Sequence, residues 1–408
     1  MEEQTYPFRW VVLALLFLSL FAATIAMQCM PPLFSEITEQ IPLTKAQMGT
    51  IMGVITLASL FFAPIGGALS DKLGARWAFG ISAIIVALAG SFRYFSGSVN
   101  HLVACMFILG AGMAMYAPNL PKALGNWFSK KDLAMANGIS ISGMGIGGAI
   151  AMATAKKFLS PTFDGWRMTM VALGGLVLLV AILWMVIYRD RPVEGAAQKK
   201  RPNVFKNFKD VLKVRDIWLI AVYYGLNMIS LLAVITLLPI TLEERGVENA
   251  GGMVGFMMLW TVVFNVVGGI LSDRVGKRKP FLLISAVIFG LCVFGFANFT
   301  GTALMIVLAI AGAAMGTIAP VLMSVPVEME RIGTALAGSA VGFIFMLGNT
   351  GGFVGPVVAG RLMDMSDSSL PGFIFIAVVL IVSAAFIIPM KETGRKRKLG
   401  EAPAAHGH

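Results

Sequence analysis

Apolar runs of membrane-spanning length, separated by short polar turns, repeat from one end of this chain to the other. A helix needs about 20 apolar residues to cross hydrocarbon. Runs of that kind lie near 10–34, 48–69, 77–96, 102–127, 133–155, 168–187, 217–241, 251–271, 281–298, 303–325, 334–360 and 371–390. Polar residues around Ser98 and Asn100 separate the third run from the fourth, and Asp364, Ser366 and Asp367 split the last two. One long polar stretch, 188–216, divides the chain near its middle. The pattern predicts an all-α integral membrane protein with twelve transmembrane helices. Its parts are a six-helix bundle over 1–187, a linker over 188–216, a second six-helix bundle over 217–390 and a basic tail over 391–408.

The two halves share a plan. GALSDKLGAR runs from Gly67 to Arg76 after the second run, and GILSDRVGKR from Gly269 to Arg278 after the eighth, an offset of 202 positions. At nearly the same offset Gly49 answers Gly252, and the Gly143–Gly148 run answers Gly348–Gly355. Gly67 and Gly269 allow close helix approach. Asp71 and Asp273 lie where a carboxylate finds basic groups and exposed helix ends. Gly74 and Gly276 permit a tight turn into the next span.

Composition agrees with a lipid setting. Of 408 residues 57% are hydrophobic and 13% charged, with mean hydropathy +0.82; a soluble protein carries roughly 25% charged residues. A cytosolic enzyme, a nucleic-acid-binding domain and a disordered hub are thereby excluded. The net charge of +11 is a matter of topology. With both termini in the cytoplasm, 24 of the 32 basic residues fall in cytoplasmic segments and six in outer loops, as the positive-inside rule requires. No nucleic-acid partner is expected, and Arg395–Lys398 are expected against anionic lipid headgroups. The N-terminus reads as a retained helix of the cytoplasmic (inner) membrane.

The loop pattern Gly-x-Leu-x-Asp-(Arg/Lys)-x-Gly-x-(Arg/Lys) appears as Gly67, Leu69, Asp71, Lys72, Gly74, Arg76 and again as Gly269, Leu271, Asp273, Arg274, Gly276, Arg278. In this, and in its span count and central linker, the whole chain resembles the major facilitator superfamily. The resemblance implies two pseudo-symmetric six-helix bundles working by alternating access. It also implies a cytoplasmic latch in which Gly67, Asp71, Arg76, Gly269, Asp273 and Arg278 gate. Spans one, four, seven and ten would line a central cavity, with help from two, five, eight and eleven. Drug exporters of the family carry a Gly-Pro motif in span five; here Gly355-Pro356 sits in span eleven instead.

Polar side chains within spans are the candidates for substrate contact. They are Gln28, Tyr116, Asn119, Lys122, Tyr223, Asn227, Trp260 and Asn349, with Tyr224 and Asn265 beside them. Tyr223 and Asn227 stand four apart and share a helix face, and Tyr116 and Asn119 stand three apart. Each of these groups could equally bond a neighbouring helix, and Trp260 reads equally as a stacking wall or as core. Lys122 precedes Trp127 and Phe128, where many family members carry a base. It either anchors the helix end or brings positive charge to the cavity. Arg93 reads as a snorkelling anchor, or as the partner of a carbonyl.

All 21 acidic residues fall in tails, loops or span ends, so a proton-carrying buried carboxylate is absent from the reading. Buried charge therefore tilts toward an anionic substrate. The expected function is secondary transport of a small, carboxylate-like organic anion, by proton-coupled symport or facilitated transport. The alternatives are an exporter of amphipathic compounds, suggested by 26 Met and 28 Phe, and a non-transporting membrane sensor. Cys29, Cys105 and Cys292 read as packed thiols, and His101, His406 and His408 have no partners at metal or triad spacing. No catalytic residues, metal or cofactor are expected; the partners are the substrate, a proton, membrane lipid, and no second subunit.

Overall fold

The computed structural model describes residues 8–129, 131–190, 209–329 and 331–394. The linker from 191 to 208 and the tail from 395 onward, with Arg395–Lys398, lie outside them. The membrane-length elements are α1 (Arg9–Gln28) with α2 (Met30–Gln40), α3 (Lys45–Phe92), α4 (Val99–Gly125), α5 (Leu133–Thr154) and α6 (Trp166–Ile187). They continue as α7 (Arg215–Glu244), α8 (Ala250–Val275), α9 (Lys279–Asn298), α10 (Gly301–Glu328), α11 (Gly333–Ser366) and α12 (Leu370–Ile387).

Eleven segments among the described residues have the length and hydropathy of a membrane span. One of them, Lys45–Phe95, is 51 residues long, about 76 Å at 1.5 Å per residue and far more than a bilayer of about 30 Å. Gly74 (φ 81°, ψ 170°) breaks it, so α3 carries two of the predicted spans. The break falls in the first repeated loop, where only glycine holds that backbone conformation without strain.

The first span differs from the expectation. It continues to Gln40 and breaks at Cys29, because Pro31 and Pro32 have no N–H for the carbonyls one turn earlier and their rings crowd that turn. Past α5 the helix widens into a π turn over Ala155–Leu159, a local insertion that redirects side chains.

The chain divides into two compact units. The first contains 1–197 with 232–259 and 353–368; the second contains 198–231, 260–352 and 369–408. In the first unit α3 packs on α4 and α6, and α1 on α5. Its core runs from Val12 through Leu109 and Trp184 to Ile240. In the second unit α9 packs on α10 and α12, around Tyr223, Leu322, Phe343 and Ile387. Small residues set the approach in each. A methyl group on Gly66 would stand 2.7 Å from Met115 Cα, and one on Gly268 2.5 Å from Thr317 Oγ1. These two contacts repeat at the 202-position offset. Exposed Phe61, Ile182, Val186, Val266 and Leu291 give the helices the apolar exterior that hydrocarbon requires. All three cysteines are buried free thiols.

Candidate functional site

The two signature loops are built alike. In the first unit Asp190, just past α6, accepts the backbone N–H groups of Ala75 (3.0 Å) and Arg76 (3.2 Å). It thereby caps the second half of α3. A methyl group on Gly74 would lie 2.5 Å from Asp190 Oδ2, so glycine is needed for space as well as for φ. The Arg76 guanidinium donates to the Met185 carbonyl, and the Trp184 indole donates to Arg76 O at 3.0 Å. Trp184 stacks on Tyr188 at 4.1 Å and meets Phe79 at 4.6 Å, tying the loop to the core. Gly67 faces Pro118, and Gly269 faces Pro320 in the second unit.

In the second unit Gly276 has φ +67°, and Glu392 accepts the Arg278 N–H at 2.7 Å and the Lys279 N–H. Arg278 is 5% exposed. It donates to Glu328 at 2.7 Å, Asp273 at 2.6 Å and Ser272 Oγ at 2.9 Å. The hydrogen bonds that it donates to Glu328, then to Asp273, raise the guanidinium pKa above its ordinary value against the opposing effect of burial. The six gating candidates therefore all sit in or against these two loops.

Lys122, expected either at the helix end or in the cavity, points to the first loop. Its ammonium donates to Ser70 O and lies 3.4 Å from Asp71 Oδ1. Both side chains keep more than a third of their surface exposed.

The other substrate candidates fall into two groups. Tyr116, Asn119, Tyr223 and Asn227 lie inside their bundles. The Tyr116 ring packs 4.5 Å from Phe79, and Asn119 donates to Met115 O at 2.8 Å. Tyr223 donates to Leu282 O at 2.8 Å, and Asn227 donates to Tyr223 O at 2.8 Å and Ser383 Oγ at 3.2 Å. Tyr116 Oη, Asn119 Oδ1 and Asn227 Oδ1 are left without a hydrogen-bond partner. Gln28, Trp260 and Asn349 are half-buried. Trp260 packs on Phe264 at 6.0 Å. Gln28 Oε1 and, one turn earlier, Thr24 Oγ1 have no partner, and both side chains flank Gly148 of α5. Thr24 was not among the candidates, because a lone threonine in an apolar helix ordinarily bonds its own backbone.

A cluster at the opposite end of the first unit was also missed. Lys156, on the π turn, bonds Ser35 Oγ (2.7 Å) and Glu243, and Lys45 pairs with Glu244 at 2.8 Å. Asp364 accepts the N–H groups of Lys45 (2.8 Å) and Ala46 (2.9 Å), capping α3 at its start. Nearby, a methyl group on Gly49 would stand 2.2 Å from Pro356 O, and one on Gly251 2.4 Å from Met152 O. A cavity of about 460 Å³ opens beside this cluster, lined by Pro32, Met152, Lys156, Pro239, Glu243 and Asn249 among others. In the sequence these charges look like ordinary loop-end residues; their pairing joins segments up to 319 positions apart.

The sequence matches the family model described as Major Facilitator Superfamily over residues 16–263 and 247–406. The chain belongs to that superfamily. This major facilitator is thus an integral membrane transporter and not an enzyme. It is similar to the hexuronate transporter of Bacillus subtilis (strain 168), 24% identical over 86% of this chain and 87% of that one. It is also similar to the probable sulfoacetate transporter of Cupriavidus necator (strain ATCC 17699), 26% identical over 95% and 96%. Among solved structures it resembles a bacterial homolog of the human lysosomal transporter Spinster in its inward-facing and occupied conformation. The TM-score is 0.80 at 16% identity, with 95% and 97% covered.

Proposed function

We propose that this transporter carries a small organic anion of the carboxylate type by alternating access, with a proton or down the anion's own gradient. The observation that carries the reading is the sign of the buried charge. Among the described residues Arg93 is the buried charged side chain inside a span, and no carboxylate is buried there; the other buried charge, Arg278, lies in the loop after α8 and is paired with Glu328 and Asp273. A transporter that exchanges cations for protons commonly relies on a buried acid whose pKa has risen. Without one, an anion that brings its own proton is the better fit. The substrates named for the two relatives, hexuronate and sulfoacetate, are both organic anions.

In this reading Lys122 supplies the positive charge. It is held by Ser70 and Asp71, and an incoming carboxylate competes with Asp71 for it. Gln28, Trp260 and Asn349 offer neutral contacts from half-buried positions, while Tyr116, Asn119, Tyr223 and Asn227 shape the bundles behind them. Gly67, Asp71, Arg76, Gly269, Asp273 and Arg278 gate. The distribution of basic residues supports a cytoplasmic location for the signature loops and both termini.

The test is thermal stabilisation of the purified protein against small acids, sugars, amines and lipophilic drugs, followed by flux in proteoliposomes. A ligand at about 100 times its Kd stabilises by about 2.7 kcal/mol. Shifts confined to carboxylates and lost in Lys122→Ala bear the reading out. Shifts across lipophilic cations that ignore Lys122 refute it in favour of an exporter, and ligand binding without flux refutes it in favour of a sensor.

A further inference from the structure

Arg93 is 0% exposed. Among the described residues no carboxylate lies within ion-pair distance of it. A charge buried in this way is unfavourable unless its donors are satisfied. Each of the three Arg93 nitrogens has a partner, and the partners come from three different helices. Nε donates to Gly90 O of α3 at 2.9 Å, one terminal nitrogen donates to Ala26 O of α1 at 2.7 Å, and the other lies 3.7 Å from Met106 Sδ of α4. Of the two roles expected for Arg93, that of carbonyl partner is the one the structure has.

The carbonyl that it holds has a particular place. Ala26 lies in the last turn of α1, before the break that Pro31 and Pro32 impose at Cys29. The carbonyls of Met27 and Gln28 receive no helical N–H from those prolines, so the end of α1 is short of helical restraints. Arg93 fastens it from the turn that follows α3. Cys29 adds a weaker hold, with Sγ donating to Ala26 O at 3.3 Å and lying 3.7 Å from Met170 Sδ of α6. Gln28 is the last residue of α1, and its Oε1 and the Thr24 Oγ1 remain unpartnered. The side chain that could accept a ligand thus stands two residues past the carbonyl that is pinned.

We infer that Arg93 is a positioning residue: it fixes the break in the first span and so sets the direction in which Gln28 meets the substrate. The inference rests on the proposed contact between Gln28 and substrate. A guanidinium suits the role because its planar fork reaches several acceptors at once, which an ammonium on a flexible stem does not. An apolar residue would remove the unpaired charge but leave α1 unfastened.

The experiment has two arms on the full-length chain. In the first, Gln28→Cys is placed in a background with Cys29, Cys105 and Cys292 replaced by alanine. Labelling by a water-soluble maleimide is then timed with and without Arg93→Met, and Asn349→Cys serves as the reference. The expected result is a change of about fivefold or more at position 28 and none at position 349, with Arg93→Lys intermediate and both variants monodisperse. An unchanged rate at position 28 in Arg93→Lys overturns the inference, even if Arg93→Met fails to fold.

In the second arm, uptake of radiolabelled glucuronate and of sulfoacetate is measured in proteoliposomes for Gln28→Ala, Arg93→Lys and the double variant. The single variants are expected to raise KM by about tenfold with little change in maximal rate, and the double variant is expected to be no worse than either. Multiplying effects, or a loss confined to maximal rate, overturn the inference. A normal KM in Gln28→Ala together with altered labelling counts against the substrate contact and leaves the placement by Arg93 standing. No uptake of either anion counts against the proposed function alone, because the labelling arm needs no substrate.

Discussion

Lys156 bonds Glu243 from a π turn, and the two residues belong to opposite halves of the sequence. The π turn over Ala155–Leu159 adds a residue to that stretch of helix, so Lys156 comes round to face Ser35 and Glu243. Both members of the pair keep about a third or more of their surface, 39% and 34%. The pair therefore adds no more than about 1 kcal/mol to stability, and its value lies in which conformation it favours. Lys156→Glu and Glu243→Lys should each reduce uptake by about fivefold at almost unchanged melting temperature. The double exchange should recover most of the loss. A double variant no better than the singles would remove this pair from the gating machinery.

The second signature loop makes a sharper stability prediction, because Arg278 has two carboxylate partners in unlike settings. Glu328 is 21% exposed and Asp273 is 68% exposed. Removing Glu328 leaves an almost fully buried guanidinium short of its better-shielded partner, at a cost of about 2–3 kcal/mol. Removing Asp273 exposes a pairing that water already screens, at a cost under about 1 kcal/mol. Detergent-solubilised Glu328→Ala should therefore unfold well below Asp273→Ala in reversible SDS titrations. Equal losses would show that the tight 2.6 Å contact to Asp273 matters more than burial.

Much of this was legible before any coordinates. The span pattern, the two glycine–aspartate loops and the split of α3 at Gly74 follow from hydropathy and from backbone rules that single residues carry. Glu328, Asp190 and Glu392 were not recognised as partners of those loops. Each reaches its loop across 50 to 115 positions, and nothing local marks it. The break at Cys29 has a local cause in the sequence, Pro31 and Pro32. Which face of a span carries the cavity was beyond periodicity, because a helix that is apolar all round has no polar stripe to read. Tyr223 and Asn227 do share a face, but it is turned toward Leu282 and Ser383. That direction is set by packing, which four-residue spacing does not encode.

Asp190 and Glu392 stand 202 positions apart and cap the helix after their loop with similar bonds, those of Glu392 falling one residue further along. The second half of α3 and the start of α9 each begin with N–H groups that no earlier turn can bond, and a carboxylate also suits the positive end of the helix dipole. Asp190→Ala and Glu392→Ala should each cost about 1 kcal/mol, with the amide variants milder. Hydrogen exchange would locate the effect. Faster exchange is expected at 75–78 for the first variant and at 278–281 for the second. Fast exchange elsewhere, with these segments unchanged, would contradict the cap assignment.

Two adjacent glycines in α6 should respond in opposite ways to the same change. A methyl group on Gly174 would meet Ser91 Oγ at 2.1 Å and Ala87 O at 2.8 Å, whereas one on Gly175 would meet nothing within 4 Å. The first contact is with backbone as well as a side chain, so α6 must move off α3 to accommodate the methyl. Such overpacking costs about 1–3 kcal/mol. At Gly175 only the helix's own preference counts, and alanine is favoured over glycine there by about 1 kcal/mol. Gly174→Ala should therefore melt several degrees below the parent in detergent, and Gly175→Ala at or slightly above it. Because the two sites share lipid depth, helix and chemistry, equal melting temperatures would mean that α6 does not pack on α3 at Gly174.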